Sequence, residues 1–168
     1  MTGRDTRFGA WTAIEQETFR SVLGHFASGV TIVTGVNDDR PAGLVCQSFF
    51  SLSLHPPLIA IAPSTTSTSW PAIAASGAFC INVLTDEQEP LCRVFARSGG
   101  DKFAGVGWTP ASSGSPRLDG ALAWVDCRVE AVHQAGDHWL VVGAVEDLGI
   151  GHGEPLLFYR GGFGTFTA

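Results

Sequence analysis

Three short segments of this sequence hold residues whose types and spacing could do chemistry. The run Ser64-Thr65-Thr66-Ser67-Thr68-Ser69 places consecutive hydroxyls ahead of a helical pattern near 70–76. It has two readings: a solvated turn capping that helix, or a cradle of O–H and N–H donors holding a phosphate at the helix N-terminus. Gly136-Asp137-His138-Trp139 falls at a turn between two strand patterns. His138 is there either an exposed turn residue or a hydrogen-bond donor over a bound cofactor. The stretch from Gly43 to Pro57 reads as a strand closing in a serine-bearing bend, whose hydroxyls, taken alone, satisfy backbone groups at a barrel corner. No Ser-His-Asp order stands out, and the acidic residues read as lying in turns and on exposed strand faces. His133 and His138 lack a third ligand, so no metal site is expected.

The elements that must position these segments are mostly strands. Glu15 to Ser28 places Phe19, Val22, Leu23 and Phe26 at i, i+3, i+4, i+7, which predicts one amphipathic helix. GVTIVTGV reads as a strand and NDDRP as a turn. Further strands are expected over 42–50, 58–62 and 78–84, with a second short helix at 70–76. Residues 87–97 read as helical with Leu91, Val94 and Phe95 on one face. After a Gly- and Pro-broken excursion over 99–119, LAWVDCRVEAV alternates. Ala123, Val125, Cys127, Val129 and Ala131 fall on one side, and Asp126, Arg128 and Glu130 on the other. WLVVGAV should pair with it as an antiparallel hairpin, and a last strand pair is expected near 155–159 and 163–166. Without strand–helix alternation, and without a G-x-G-x-x-G after an early strand, a Rossmann unit is excluded. The fold class expected is mainly β, an antiparallel split β-barrel with a few short peripheral helices, since closure removes exposed strand edges.

The chain has 168 residues, 45% of them hydrophobic, with 21 glycines and 9 prolines that follow no repeat. One core fits that material, so residues 14–168 are read as a single domain and 1–13 as a flexible arm. A net charge of −6 with no Lys/Arg cluster argues against nucleic-acid partners. An anionic ligand would have to be held by local N–H, hydroxyl and one or two cationic groups. Cys46, Cys80, Cys92 and Cys127 lack the C-x-x-C spacing of a zinc or redox site and the density of a secreted scaffold. With no apolar leader or membrane-length run in the sequence, a soluble cytoplasmic protein is expected.

In order along the chain stand GHFASGVTIVT, SFFSLSLHPP, FCINVL, DKFAGVGW, SPRLDGALAWVDC, GDHWLVVGAVED and EPLLFYRGGFGTF. From about Phe19 to Phe166 this series resembles the short-chain flavin reductases of the FMN-binding split-barrel superfamily, the reductase partners of two-component flavin monooxygenases. The resemblance implies an NAD(P)H-dependent flavin reductase that passes hydride from NADH or NADPH to FMN or FAD, as a homodimer feeding a separate monooxygenase. It implies that Val45, Cys46, Gln47, Ser48 and Phe49 line the flavin ring with Ser51 nearby. Ser64, Thr65, Thr66, Ser67 and Thr68 fall at the ribityl chain and phosphate, with Phe95, Arg97 and Lys102 on the same side. His138 falls beside the nicotinamide as the catalytic residue, and Arg160, Gly161, Gly162 and Phe163 form a second nicotinamide-side segment. Members of the family often carry Thr at the place of Val45, and Asn or Ser at that of Gln47, which implies that backbone makes the ring contacts and that the flavin exchanges. Trp108, Trp124 and Trp139 are candidates for either an interface or the core. The alternative is a flavin-binding carrier without nicotinamide turnover; a barrel with a repurposed pocket is a third.

Overall fold

The computed structural model describes residues 14–167; the arm expected over 1–13 lies outside them. In chain order the elements are α1 (Gln16–Leu23), β1 (Ser28–Gly29), β2 (Thr31–Asn37), β3 (Arg40–Cys46), β4 (Phe50–Leu54), β5 (Pro57–Ile61), α2 (Trp70–Ala75) and β6 (Ala78–Val83). They continue with α3 (Glu89–Phe95), β7 (Trp108–Pro110), β8 (Pro116–Leu118), β9 (Ala123–Ala135), β10 (His138–Ile150), β11 (Leu157–Tyr159) and β12 (Gly162–Gly164). The protein is mainly β, as expected.

Seven strands form one antiparallel sheet in the order β3-β2-β6-β9-β10-β5-β4. Its edge strands, β3 and β4, are consecutive in the chain and joined by only Gln47, Ser48 and Phe49. A flat seven-stranded sheet would separate its edges by about 29 Å, at about 4.8 Å per strand. The linker can reach only about 14 Å. The sheet must therefore curl until its edges approach, and because β3 and β4 are not hydrogen-bonded to each other, the barrel stays split along that seam. Ser48 ties the seam: its hydroxyl accepts the Ala62 N–H at 2.8 Å, just past the end of β5.

The curled sheet wraps Val33, Ile59, Ile61, Phe79, Ile81, Cys127 and Val141, with Trp70 and Ile73 of α2 packed into the same cluster. A second cluster lies outside it, where Val30, Ile32 and Leu84 meet Cys92 and Phe95 of α3 together with Leu118 and Leu156. Adjacent residues of β2 point to opposite faces, yet Ile32 and Val33 are both fully buried, because α3 and the 99–120 excursion cover the outer face. All four cysteines are buried and unpaired. No helix among the described residues is long and apolar enough to cross a membrane.

Several sequence expectations need correcting. The bend after β3 continues as β4, an exposed edge strand whose alternating Phe and Leu residues gain no second sheet to cover them. The 99–119 excursion contains the β7–β8 hairpin. α1 ends at Leu23, and its apolar residues Phe19, Val22 and Leu23, with Phe26 beyond, stay exposed. On α3 the buried pair is Cys92 and Phe95, while Val94 faces outward. Asp126, placed by alternation on the polar side of β9, is completely buried, because the loop before β8 closes over it. There its carboxylate accepts the Ser113 N–H at 2.8 Å and the Ser113 hydroxyl at 2.6 Å.

Candidate active site at the barrel seam

Curling brings the C-terminal end of β3 against the hydroxyl loop and the β9–β10 turn. Leu44, Val45, Cys46, Gln47 and Ser48 form one wall of a cleft of about 430 Å³, and Ala62, Pro63, Ser64, Ser67 and His138 form the other. Since β3 is a sheet edge, one row of its N–H and C=O groups is unused by the sheet and faces this open side. A planar ring with alternating donors and acceptors along its edge can pair with such a strand much as another strand would. The donor set therefore fits an isoalloxazine ring, with affinity carried by main chain.

The opposite wall is built from two segments far apart in sequence and fastened together. Trp139 N–H donates to the Pro63 carbonyl at 2.9 Å, and the Asp137 carbonyl accepts both the Thr65 N–H at 2.9 Å and the Thr65 hydroxyl at 3.0 Å. Ser67 caps the approach to α2 by accepting the Trp70 N–H at 3.1 Å. At the tip, Asp137 Oδ1 lies 2.7 Å from His138 Nδ1, and that hydrogen bond holds the Asp137 carboxyl below the usual carboxylate range.

A smaller depression of about 240 Å³ adjoins the cleft where Gly43 precedes Leu44 and Thr68 follows Ser67; Ser69, Asp101 and Lys102 complete its polar lining. Lys102 Nζ donates to the carbonyls of Phe95 (3.0 Å) and Gly43 (3.2 Å) and to the Ser69 hydroxyl (3.3 Å). Burial pulls its pKa below the ordinary lysine value. Its charge sits at the rim, while its three N–H bonds are committed to protein oxygens.

Of the residues singled out in the sequence, the structure gathers Val45, Cys46, Gln47, Ser48, Ser64, Ser67 and His138 around the cleft, with Thr68 and Lys102 in the adjoining depression. Thr65 stands behind the wall as a tie, and Thr66 is exposed, its hydroxyl 2.9 Å from that of Ser64. Phe49 packs on the inner core, and Ser51 lies on β4 opposite Ile59. Phe95 is buried beneath β3. A Cβ on Gly43 would come within 2.5 Å of its ring, so that glycine is what lets the ring support the wall from outside. Arg97 is exposed beyond α3. Arg160 and Gly161 line a separate hollow against α1 that shares no residue with the cleft. Gly162 and Phe163 belong to β12, with the Phe163 ring 5.2 Å from that of Phe158. Trp139 packs on the inner core and Trp108 on the outer one, whereas Trp124 lies under Arg117 at 5.0 Å. Sequence reading passed over Leu44, Ala62 and Pro63, which carry no chemical signal, and named Asp137 in the turn without giving it a role, although its signal was its place next to His138.

Residues 23–167 match the model of the flavin reductase like domain. The chain belongs to that flavin reductase family. It is 51% identical over 153 residues to the reductase subunit HsaB of a flavin-dependent monooxygenase from Mycobacterium tuberculosis, covering 89% of this chain and 82% of the relative. Among solved structures, a homologue of nitrilotriacetate monooxygenase component B from Mycobacterium thermoresistibile superposes with a TM-score of 0.88 at 48% identity, over 90% of this chain and 87% of that one. The NADH:FAD oxidoreductase SgcE6 of Streptomyces globisporus, solved in complex with NAD and FAD fragments, gives a TM-score of 0.85 at 34% identity, over 91% and 93% of the two chains.

Proposed function

We propose that this flavin reductase oxidises NADH or NADPH and reduces FMN or FAD, releasing the flavin to a separate monooxygenase. The observation that carries the reading is the meeting, at one cleft, of the free edge of β3, the hydroxyl loop and His138. Hydride transfer between nicotinamide and flavin is chemistry the two groups bring with them; the chain's task is to stack them and exclude water. The main chain of Val45 to Ser48 holds the ring edge, because the Ser48 hydroxyl is already engaged by Ala62. Ser64, Ser67 and Thr68 present hydroxyls along the wall toward Lys102, which supplies positive charge for a phosphate despite the overall charge of −6. His138 faces the nicotinamide from the opposite wall. With no Asp, Glu, Lys or Arg among the residues lining the cleft, the grip on flavin is modest and the flavin behaves as a diffusing substrate.

The exposed apolar residues of α1 and Phe26 support a homodimer, and a second copy of this chain would supply the cover they lack. Arg160 and Gly161, which line a hollow of their own against α1, and Gly162 and Phe163 next to them would then act across or beside that interface. The single domain over 14–168 and a cytoplasmic location complete the proposal. Purified protein mixed with each pairing of NADH or NADPH with FMN or FAD should lose nicotinamide absorbance; no turnover with any pairing overturns the reading. Flavin that co-purifies and resists gel filtration, without such turnover, would mark a flavin carrier instead.

A further inference from the structure

We propose that Asp137 is a positioning residue for nicotinamide use, orienting the His138 ring through its carboxylate and fixing the turn to the hydroxyl loop through its carbonyl. The inference rests on the reading that His138 faces the nicotinamide. A histidine at the tip of a two-stranded turn is free to sample rotamers, and holding it in one costs conformational entropy. Here the ring is held. Asp137 Oδ1 meets His138 Nδ1 at 2.7 Å, which places the Nδ1 proton on the carboxylate side and leaves Nε2 as the ring nitrogen available to a ligand.

The carboxylate has no packing role, since the Asp137 side chain is 92% exposed and that of His138 47%. So exposed a pair contributes little to folding. Its effect is on orientation. The backbone of the same residue serves the same end, because Thr65 bonds the Asp137 carbonyl twice and Pro63 holds Trp139 N–H. The hydroxyl loop and the histidine turn, which share one wall of the cleft, are thus fastened to each other. Gln47, Ser48, Ser64 and Ser67 are neutral, and among the residues lining the cleft only Cys46 and His138 are titratable. Asp137, just outside that lining, is the carboxylate bonded to the ring.

The test uses the full chain with Asp137→Ala, Asp137→Glu, His138→Ala and the Asp137→Ala/His138→Ala double variant, in steady-state assays that vary nucleotide and flavin separately. Losing one charge-assisted hydrogen bond predicts a kcat/KM for the nucleotide lowered about tenfold in Asp137→Ala. The KM for flavin should stay within about twofold and the unfolding midpoint should be unchanged. Asp137→Glu should recover part of the loss, and Asp137→Ala should cost nothing further once His138 is alanine. Imidazole nitrogen shifts should report an Nδ1-protonated ring in the parent and a tautomer mixture in Asp137→Ala. Equal losses for nucleotide and flavin, or additive losses in the double variant, overturn the proposal while leaving the function intact. If His138→Ala leaves nucleotide use unchanged, both the proposal and the nicotinamide role of His138 fall.

Discussion

Two clusters in this protein are built from the same side chains, an aspartate with serine and threonine hydroxyls, and they serve opposite ends. Under the β7–β8 hairpin, Asp126 binds Ser113, while Asn82 accepts the Leu118 N–H at 2.7 Å and donates to the Pro116 and Ile32 carbonyls. Thr34 adds a bond to Pro116. Asp126, Asn82 and Thr34 are fully buried, and no buried side-chain polar atom among the described residues lacks a partner. At the cleft, Asp137 and His138 are open to solvent and one ring nitrogen is left over. Saturation makes the first cluster a latch for the excursion that covers the outer core. Incompleteness leaves the second able to bind something else.

The largest effect expected is on the latch. Asp126→Ala empties a fully buried carboxylate position and leaves the Ser113 N–H without its acceptor, the Ser113 hydroxyl keeping only Ser115 in the layer under the hairpin, a loss of about 2 kcal/mol in folding stability. Urea denaturation should show it, with turnover per folded molecule retained. A destabilisation below about 1 kcal/mol would mean that water enters the layer and would erase the contrast. Next comes Ser48→Ala at the seam, which removes the hydroxyl that receives the Ala62 N–H. It should lower stability by about 1 kcal/mol and, by loosening the cleft wall, raise the KM for flavin.

The two clusters also respond to pH in opposite directions. Burial first, then the charges of Asp126 and Glu146, push the Cys127 thiol from 9.0 to about 12; Cys80 is pushed higher still by burial, with Asp126 adding to it. A folded-state pKa raised above the unfolded value means stability that is complete below about pH 9 and is lost as pH rises beyond it. Asp137 is depressed, so its contribution is present above the ordinary carboxylate pKa and is lost as pH falls. Urea midpoints across the alkaline range should fall in the parent and fall less in Cys127→Ala, and an unchanged slope would detach the latch from its thiol neighbours. The smallest stability effect expected is that of Asp137→Ala, whose consequence belongs to nucleotide use.

Nothing in composition distinguishes the two aspartates. Asp126 follows an alternation that predicts a solvated face, and only the fold of residues 99–120 over β6 and β9 buries it. The excursion resisted reading because its hairpin is three residues per strand, too short for periodicity to register. β4 escaped for a related reason: its serines look like a bend, and its apolar residues face outward. Even so, Ser64, Ser67 and His138 were legible as candidates, since hydroxyls before a helix and a histidine at a turn are unusual enough to notice.

By itself the sequence determined the long strands, the three helices and the residue types of both cleft walls, because side-chain periodicity and turn chemistry are local properties. It also determined the family, through motifs that keep their order along the chain. Only the tertiary structure decided which polar residues are spent and which are free. That depends on the three-residue link between β3 and β4, which forces the sheet to curl, leaves a free strand edge and sets it opposite His138. Such a meeting is non-local: no window of sequence contains Gln47, Ser67 and His138 together.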